Sequence, residues 1–111
     1  MISVSAATRV FVALAPVDLR QSFNGLHAAV QRQLNHDPLS GHLFLFTNRT
    51  RNRIKLLYWD GSGLWICAKR LERGRFSWPE GTGAAATLRG EELTALLSGL
   101  EVRSKADWYR R

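Results

Sequence analysis

The segment from His42 to Thr47 constrains this chain more than any other. Leu43, Phe44, Leu45 and Phe46 follow one another without a polar residue. In a strand, successive side chains point to opposite faces, so Leu43 and Leu45 share one face and Phe44 and Phe46 the other. A strand apolar on both faces needs cover on both, which places it in the middle of a sheet. With 111 residues the chain favours a single domain around one core.

The other segments supply the rest of that core. Arg9-Val10-Phe11-Val12-Ala13-Leu14 is short and rich in β-formers, which predicts a strand ended by Ala15-Pro16. Asp18, three residues before Gln21, reads as a capping box. Leu19, Phe23, Leu26, Val30 and Leu34 then form one helical stripe, predicting a helix from Leu19 to Leu34. Gly25 weakens that helix by about 1 kcal/mol relative to Ala and suits close packing on a neighbouring strand. Asp37-Pro38-Leu39-Ser40-Gly41 is turn chemistry. Arg53 to Trp59 and Leu64 to Arg70 predict two strands joined as a hairpin through Asp60-Gly61-Ser62-Gly63. Phe76 to Trp78 predicts a short edge strand stopped by Pro79, and Pro79 to Thr87 a loop. A second helix is expected from Gly90 to Leu100, with Leu93, Leu96, Leu97 and Leu100 on one face. The class is α+β: a small, mostly antiparallel sheet of about four to five strands against one long helix, plus a short C-terminal helix. Residues 1–102 form the single domain and 103–111 a charged, flexible tail. The long helix covers one face of the sheet. The other face is left to solvent, the second helix or a partner.

Charge narrows the function. Sixteen Lys and Arg against nine Asp and Glu give +7, a balance that favours a polyanionic partner, most often nucleic acid. Between Arg49 and Arg75 stand eight cations, Arg49, Arg51, Arg53, Lys55, Lys69, Arg70, Arg73 and Arg75, and two acids, Asp60 and Glu72, so +6 of the +7 lies there. These eight are the candidate nucleic-acid contacts. A turn with Gly61-Ser62-Gly63 as a three-residue loop would set Asp60 opposite Leu64, Trp59 opposite Trp65, Leu57 opposite Cys67 and Lys55 opposite Lys69. Ile54, Leu56, Tyr58, Ile66 and Ala68 would then be the core face, and the Lys55–Lys69 pair would invite a phosphate. Trp59, Trp65 and Trp78 are candidates for base stacking or for an interface with another protein; Trp108 adds to the aromatic surplus. The plain alternative is that the cations only keep an exposed strand from pairing.

Catalysis is not expected. Asp18, Asp37, Asp60 and Glu72 each have a structural task, so no carboxylate set for a divalent metal stands out, and a small metal-dependent nuclease is an outsider. His27, His36 and His42 lack metal-ligand spacing. No metal or cofactor is expected. The single Cys67 excludes an internal disulfide and reads as a small buried hydrophobe. No secretory leader and no membrane-length apolar run occur, so a cytoplasmic protein is expected, without a membrane partner. The sequence sets no oligomeric state.

Four ordered motifs carry a family resemblance. They are Pro16-Val17-Asp18-Leu19-Arg20 with Phe23-Asn24-Gly25-Leu26; Asp37-Pro38-Leu39-Ser40-Gly41 with Leu43 to Phe46; Asn48-Arg49, Arg51, Arg53 and Lys55 with Tyr58-Trp59-Asp60-Gly61 and Gly63; and Lys69-Arg70-Leu71-Glu72-Arg73-Gly74-Arg75-Phe76 with Trp78-Pro79. Over about residues 10–100 the chain resembles the TnpB-type accessory proteins, second reading-frame products of the insertion sequence 66 group. The resemblance implies a non-catalytic role in transposition beside a separate, larger transposase. The expected partners are DNA at the element's ends, met through residues 49–75, and other transposition proteins of the element. The alternative is a subunit that docks on the transposase without touching DNA. Asn52 stands where an Asp is usual, Cys67-Ala68 where Trp-Tyr is usual, and Arg89 where a capping Thr is common. The second departure removes aromatic area from the hairpin.

Overall fold

The computed structural model describes residues 8–99. The chain runs β1 (Val10–Ala13), α1 (Phe23–Arg32), β2 (Leu43–Thr47), β3 (Arg53–Trp59), β4 (Leu64–Arg70), β5 (Ala85–Leu88) and α2 (Gly90–Leu97). The strands form one sheet in the order β4-β3-β2-β1-β5. β1 and β2 are parallel, with α1 as the crossover a parallel pair requires. The other neighbours are antiparallel, so the sheet is mixed. The N-terminal boundary and the tail at 103–111 lie outside the described residues.

β2 sits at the centre, as its doubly apolar sequence requires. Leu43 and Leu45 join Val10, Val12, Ile54, Leu56 and Leu88 on one face, covered by Leu93 and Leu96 of α2 and by Phe76 and Trp78. Phe44 and Phe46 join Phe11, Ala13 and Leu57 on the other, covered by Leu26, Val30 and Leu34. The second helix therefore takes the face that the sequence left open.

The helices differ from expectation at their starts and ends. α1 begins at Phe23, four residues late, and has ten residues rather than the long span expected. Asp18 does not cap it. The Asp18 carboxylate accepts the backbone N–H of Arg20 at 3.0 Å and pairs with its guanidinium, a local bond that competes with helix. Leu19 thus precedes the helix and packs on the α1-side core from the connecting segment, while Phe23, the first helical residue, is 45% exposed. Gly25 serves a neighbour other than a strand. A Cβ there would lie 2.5 Å from Gln21 Oε1 and 2.7 Å from Gln21 Cβ. α2 ends at Leu97, with Ser98 as C-cap; Leu100 lies outside the described residues. At its N-terminus the backbone N–H of Arg89 donates to Glu92 at 2.8 Å, so the acid three residues into the helix does the capping.

Two further corrections concern the sheet edge. Phe76 to Trp78 is not a strand, although Phe76 and Trp78 are buried. The expected loop instead contains β5, which pairs with β1 from Val10↔Leu88 to Ala13↔Ala85. An Ala-rich run has little strand propensity of its own; the free edge of β1 recruits it.

Candidate nucleic-acid interface

The β3–β4 hairpin closes more tightly than the three-residue loop predicted. Trp59 pairs with Leu64, Tyr58 with Trp65, Leu57 with Ile66, Leu56 with Cys67, Lys55 with Ala68, Ile54 with Lys69 and Arg53 with Arg70. Asp60 and Gly63 are therefore opposite each other, the Asp60 N–H donating to the Gly63 carbonyl at 3.1 Å. Gly61, at φ +103°, takes the first central position of a II′-like turn, where only glycine is unstrained. Asp60 holds the turn from its side chain. It accepts the N–H groups of Ser62 at 2.8 Å and Gly63 at 2.9 Å, and the indole N–H of Trp65 at 2.8 Å. These donors hold its carboxyl well below the usual carboxylate range.

The shift of one residue changes which side chains share a face, because alternation is strict. Ile54 and Leu56 stay in the core, but Ile66 packs on the opposite face, against the α1 side. Ala68 is exposed. Leu57, expected beside the cations on an open face, is fully buried. Cys67 is exposed rather than a buried hydrophobe. Lys55 and Lys69 point to opposite faces, so the proposed like-charge pair does not form. Each is anchored to backbone instead: Lys55 Nζ donates to the Gln21 carbonyl at 2.9 Å and Lys69 Nζ to the Leu97 carbonyl at 2.6 Å. The second bond puts a cation at the C-terminus of α2, where the helix dipole favours it. The opposed cations are Arg53 and Arg70.

The arginines gather at the end of the hairpin away from its turn. The Leu71 N–H donates to the Asn52 carbonyl at 2.8 Å and the Phe76 N–H to the Arg51 carbonyl at 2.6 Å. These bonds bring residues 49–53 and 70–75, separate in sequence, to one place. Asn48 ties the turn beneath them, its Oδ1 accepting the N–H groups of Asn52 at 3.1 Å and Arg53 at 3.2 Å. Asn52, the departure from Asp, takes part by accepting the Asn48 amide at 2.8 Å. Arg51 is left-handed at φ +58°, an unfavourable backbone for a residue with a side chain. Arg49, Arg53, Arg70, Arg73 and Arg75 are exposed, Arg51 and Lys55 half-buried. Leu19, Arg53, Lys55, Ala68, Arg70 and Glu72 line an open groove of about 470 Å³ on the α1 face. Glu72 pairs with Arg70 at 3.2 Å and Glu80 approaches Arg51 at 3.9 Å, both well exposed, so neither holds its arginine strongly. Asp60 is at the far end of the hairpin. Charge is thus polarised along it.

The tryptophans are not interleaved with the arginines. Trp78 is 4% exposed, with its indole N–H on the Ala13 carbonyl at 2.9 Å, so it is a core residue. Trp59 and Trp65 flank the turn on opposite faces; Trp59 is half-buried and Trp65 is 49% exposed. Trp108 lies outside the described residues. Among the described residues no group of three or more His, Cys, Asp or Glu could hold a metal ion, and no helix is long and apolar enough to cross a membrane. His36 and His42 pack on the Phe11 ring at 4.1 Å and 5.7 Å. Sequence reasoning found the basic residues but missed the Asn48 tie and the two lysine anchors. The Asn at position 48, ahead of a basic run, was the available signal.

The chain is similar to known proteins over nearly its whole length. The family model described as IS66 Orf2 like protein matches residues 8–107. The uncharacterized protein y4hO of Sinorhizobium fredii is 38% identical over 102 residues, covering 92% of this chain and 89% of that protein. The uncharacterized protein y4jC of the same organism is 39% identical over 110 residues, covering 99% and 89% respectively. No solved structure shows a significant match.

Proposed function

This chain belongs to the IS66 Orf2-like family, a family of transposition-associated accessory proteins, and we propose that within that role it grips the DNA backbone through the arginine end of its β3–β4 hairpin. The carrying observation is convergence: Arg49, Arg51, Arg53, Arg70, Arg73 and Arg75 come from two separate segments to one end of the sheet. Opposed Arg53 and Arg70 repel each other unless an anion sits between them, and guanidinium forks match phosphate oxygens. The lysines serve the fold, so arginines make the contacts. With Trp59 and Trp65 at the other end, the grip is electrostatic and indifferent to sequence.

The protein is non-catalytic on this reading. Asp18, Asp37 and Asp60 hold backbone N–H groups of their own turns, and Glu72 lies beside Arg70 in an exposed pair; none converges with another. The test is a titration of labelled duplex DNA at several salt concentrations. Three to five phosphate contacts give a log–log slope of roughly −3 to −5. Binding indifferent to salt, or no binding in low salt, overturns the proposal.

A further inference from the structure

β4 ends the sheet, and among the described residues its outer backbone groups meet no partner. Leu71 and Asp60 bond across to Asn52 and Gly63. Since antiparallel pairs alternate between bonded and non-bonded, Trp65, Cys67 and Lys69 direct their N–H and C=O toward β3. Leu64, Ile66, Ala68 and Arg70 direct theirs outward, and among the described residues no partner meets them. The strand is seven residues long and uncharged from Leu64 to Ala68. Cations stand only at Lys69 and Arg70, so most of this edge lacks the charges that usually prevent pairing. Trp65 is 49% exposed on it. Both faces open onto grooves, one reaching Ala68 and Arg70, the other Cys67 and Lys69.

We propose that β4 pairs with β4 of a second copy of this chain, antiparallel and with Cys67 on the two-fold axis, so that two five-stranded sheets become one. The phase of the free groups permits this register, full overlap of the seven-residue strand centres it on Cys67, and the charges suit it. Full overlap of Leu64–Arg70 with itself sets Ile66 against Ala68 and Leu64 against Arg70 of the second copy, and these are the residues whose free groups point outward. Trp65 then meets Lys69 in a non-bonded pair, the closer of the two kinds, where the Lys69 stem, its Nζ still on the Leu97 carbonyl, lies along the indole. The stem of Arg70 covers Leu64. A parallel arrangement would stack Lys69 and Arg70 on their own copies, so the cations fix the orientation. The two Cys67 residues form a non-bonded pair with Cα atoms about 4.5 Å apart, within the span of a disulfide.

The experiment uses the full chain without DNA, which keeps it independent of the DNA-binding proposal. Sedimentation velocity over a concentration series is expected to show a monomer–dimer equilibrium. Diamide, which accepts the two protons and two electrons released when two thiols join, is expected to give a covalent dimer on a non-reducing gel. Cys67→Ser removes the covalent band and leaves the sedimenting dimer. Ala68→Pro removes an outward N–H and spares the bonds to β3; a monomer with an unchanged circular dichroism spectrum is expected. Trp65→Lys sets lysine against Lys69 of the second copy and weakens the dimer roughly ten- to a hundredfold, a readout that stands if Ala68→Pro fails to fold. A monomer at every concentration, including one that pairs only with another protein of the element, overturns the proposal. So does a dimer unaffected by Trp65→Lys, or the absence of a Cys67-dependent covalent band.

Discussion

Arg53 of β3 and Arg70 of β4 stand directly opposite each other across the hairpin ladder. A like-charge pair in that position is locally unfavourable, and it sits where residues 49–53 and 70–75 converge. Changing both to Gln is expected to leave the melting temperature unchanged or raise stability by up to about 1 kcal/mol. The same change should weaken DNA binding and flatten the salt slope by up to about two. Thermal melts and DNA titrations of the double variant check this; an undiminished salt slope moves the contact surface elsewhere.

Arg51 offers the same trade in its backbone. Its left-handed φ of +58° disfavours any residue with a Cβ. Arg51→Gly should therefore gain about 1 kcal/mol in a denaturant melt while lowering DNA affinity. Arg51→Lys keeps both strain and charge but loses the guanidinium fork, so it should leave the melt unchanged and lower DNA affinity less than Arg51→Gly does.

Lys55 and Lys69 behave differently from the arginines because each is tied to a carbonyl. Had they been a repelling pair, their joint change to Gln would have stabilised the protein. With both anchors lost, the double variant should be less stable, by about 0.5–1.5 kcal/mol per bond. Chemical denaturation gives the sign directly.

Trp78 tests the division between core and surface. Trp78→Phe leaves the Ala13 carbonyl without its indole donor and should cost about 1–3 kcal/mol; Trp78→Ala should cost about 3–5 kcal/mol. DNA affinity of the folded fraction should be unaffected. A selective loss of binding with unchanged stability would return Trp78 to the surface.

Asp60 sets a pH response at the turn. Its carboxyl is held below the ordinary value by the Ser62 N–H, the Trp65 indole and the Gly63 N–H. A depressed folded-state pKa contributes stability that is complete above the unfolded value, about 3.9, and lost as pH falls through the folded one. The Trp65 indole N–H resonance should therefore hold its position from neutral pH down past about 4 and move only in stronger acid. Asp60→Ala should remove that acid transition and lower the melting temperature at neutral pH. Asp18, held to about 2 by the Arg20 side chain and N–H, titrates in the same direction without touching the Trp65 signal.

The sequence by itself determined the centre of this protein. Four apolar residues in a row from Leu43 to Phe46 forced a strand covered on both faces, and the repeat of Leu26, Val30 and Leu34 supplied one cover. The polarised charge was equally legible, because composition does not depend on folding. The folded structure decided the rest, because a choice between local hydrogen bonds of similar strength, or the recruitment of a segment by a free strand edge, leaves no residue pattern to read. Asp18 was read as a cap but is held by Arg20. The Ala-rich run at 84–86 carries no strand signal, yet Ala85 and Ala86 open β5 because β1 has a free edge. The hairpin register turned on whether Gly63 belongs to the loop or pairs with Asp60. That one residue separates a lysine pair from an arginine pair, because side-chain direction alternates with every step along a strand.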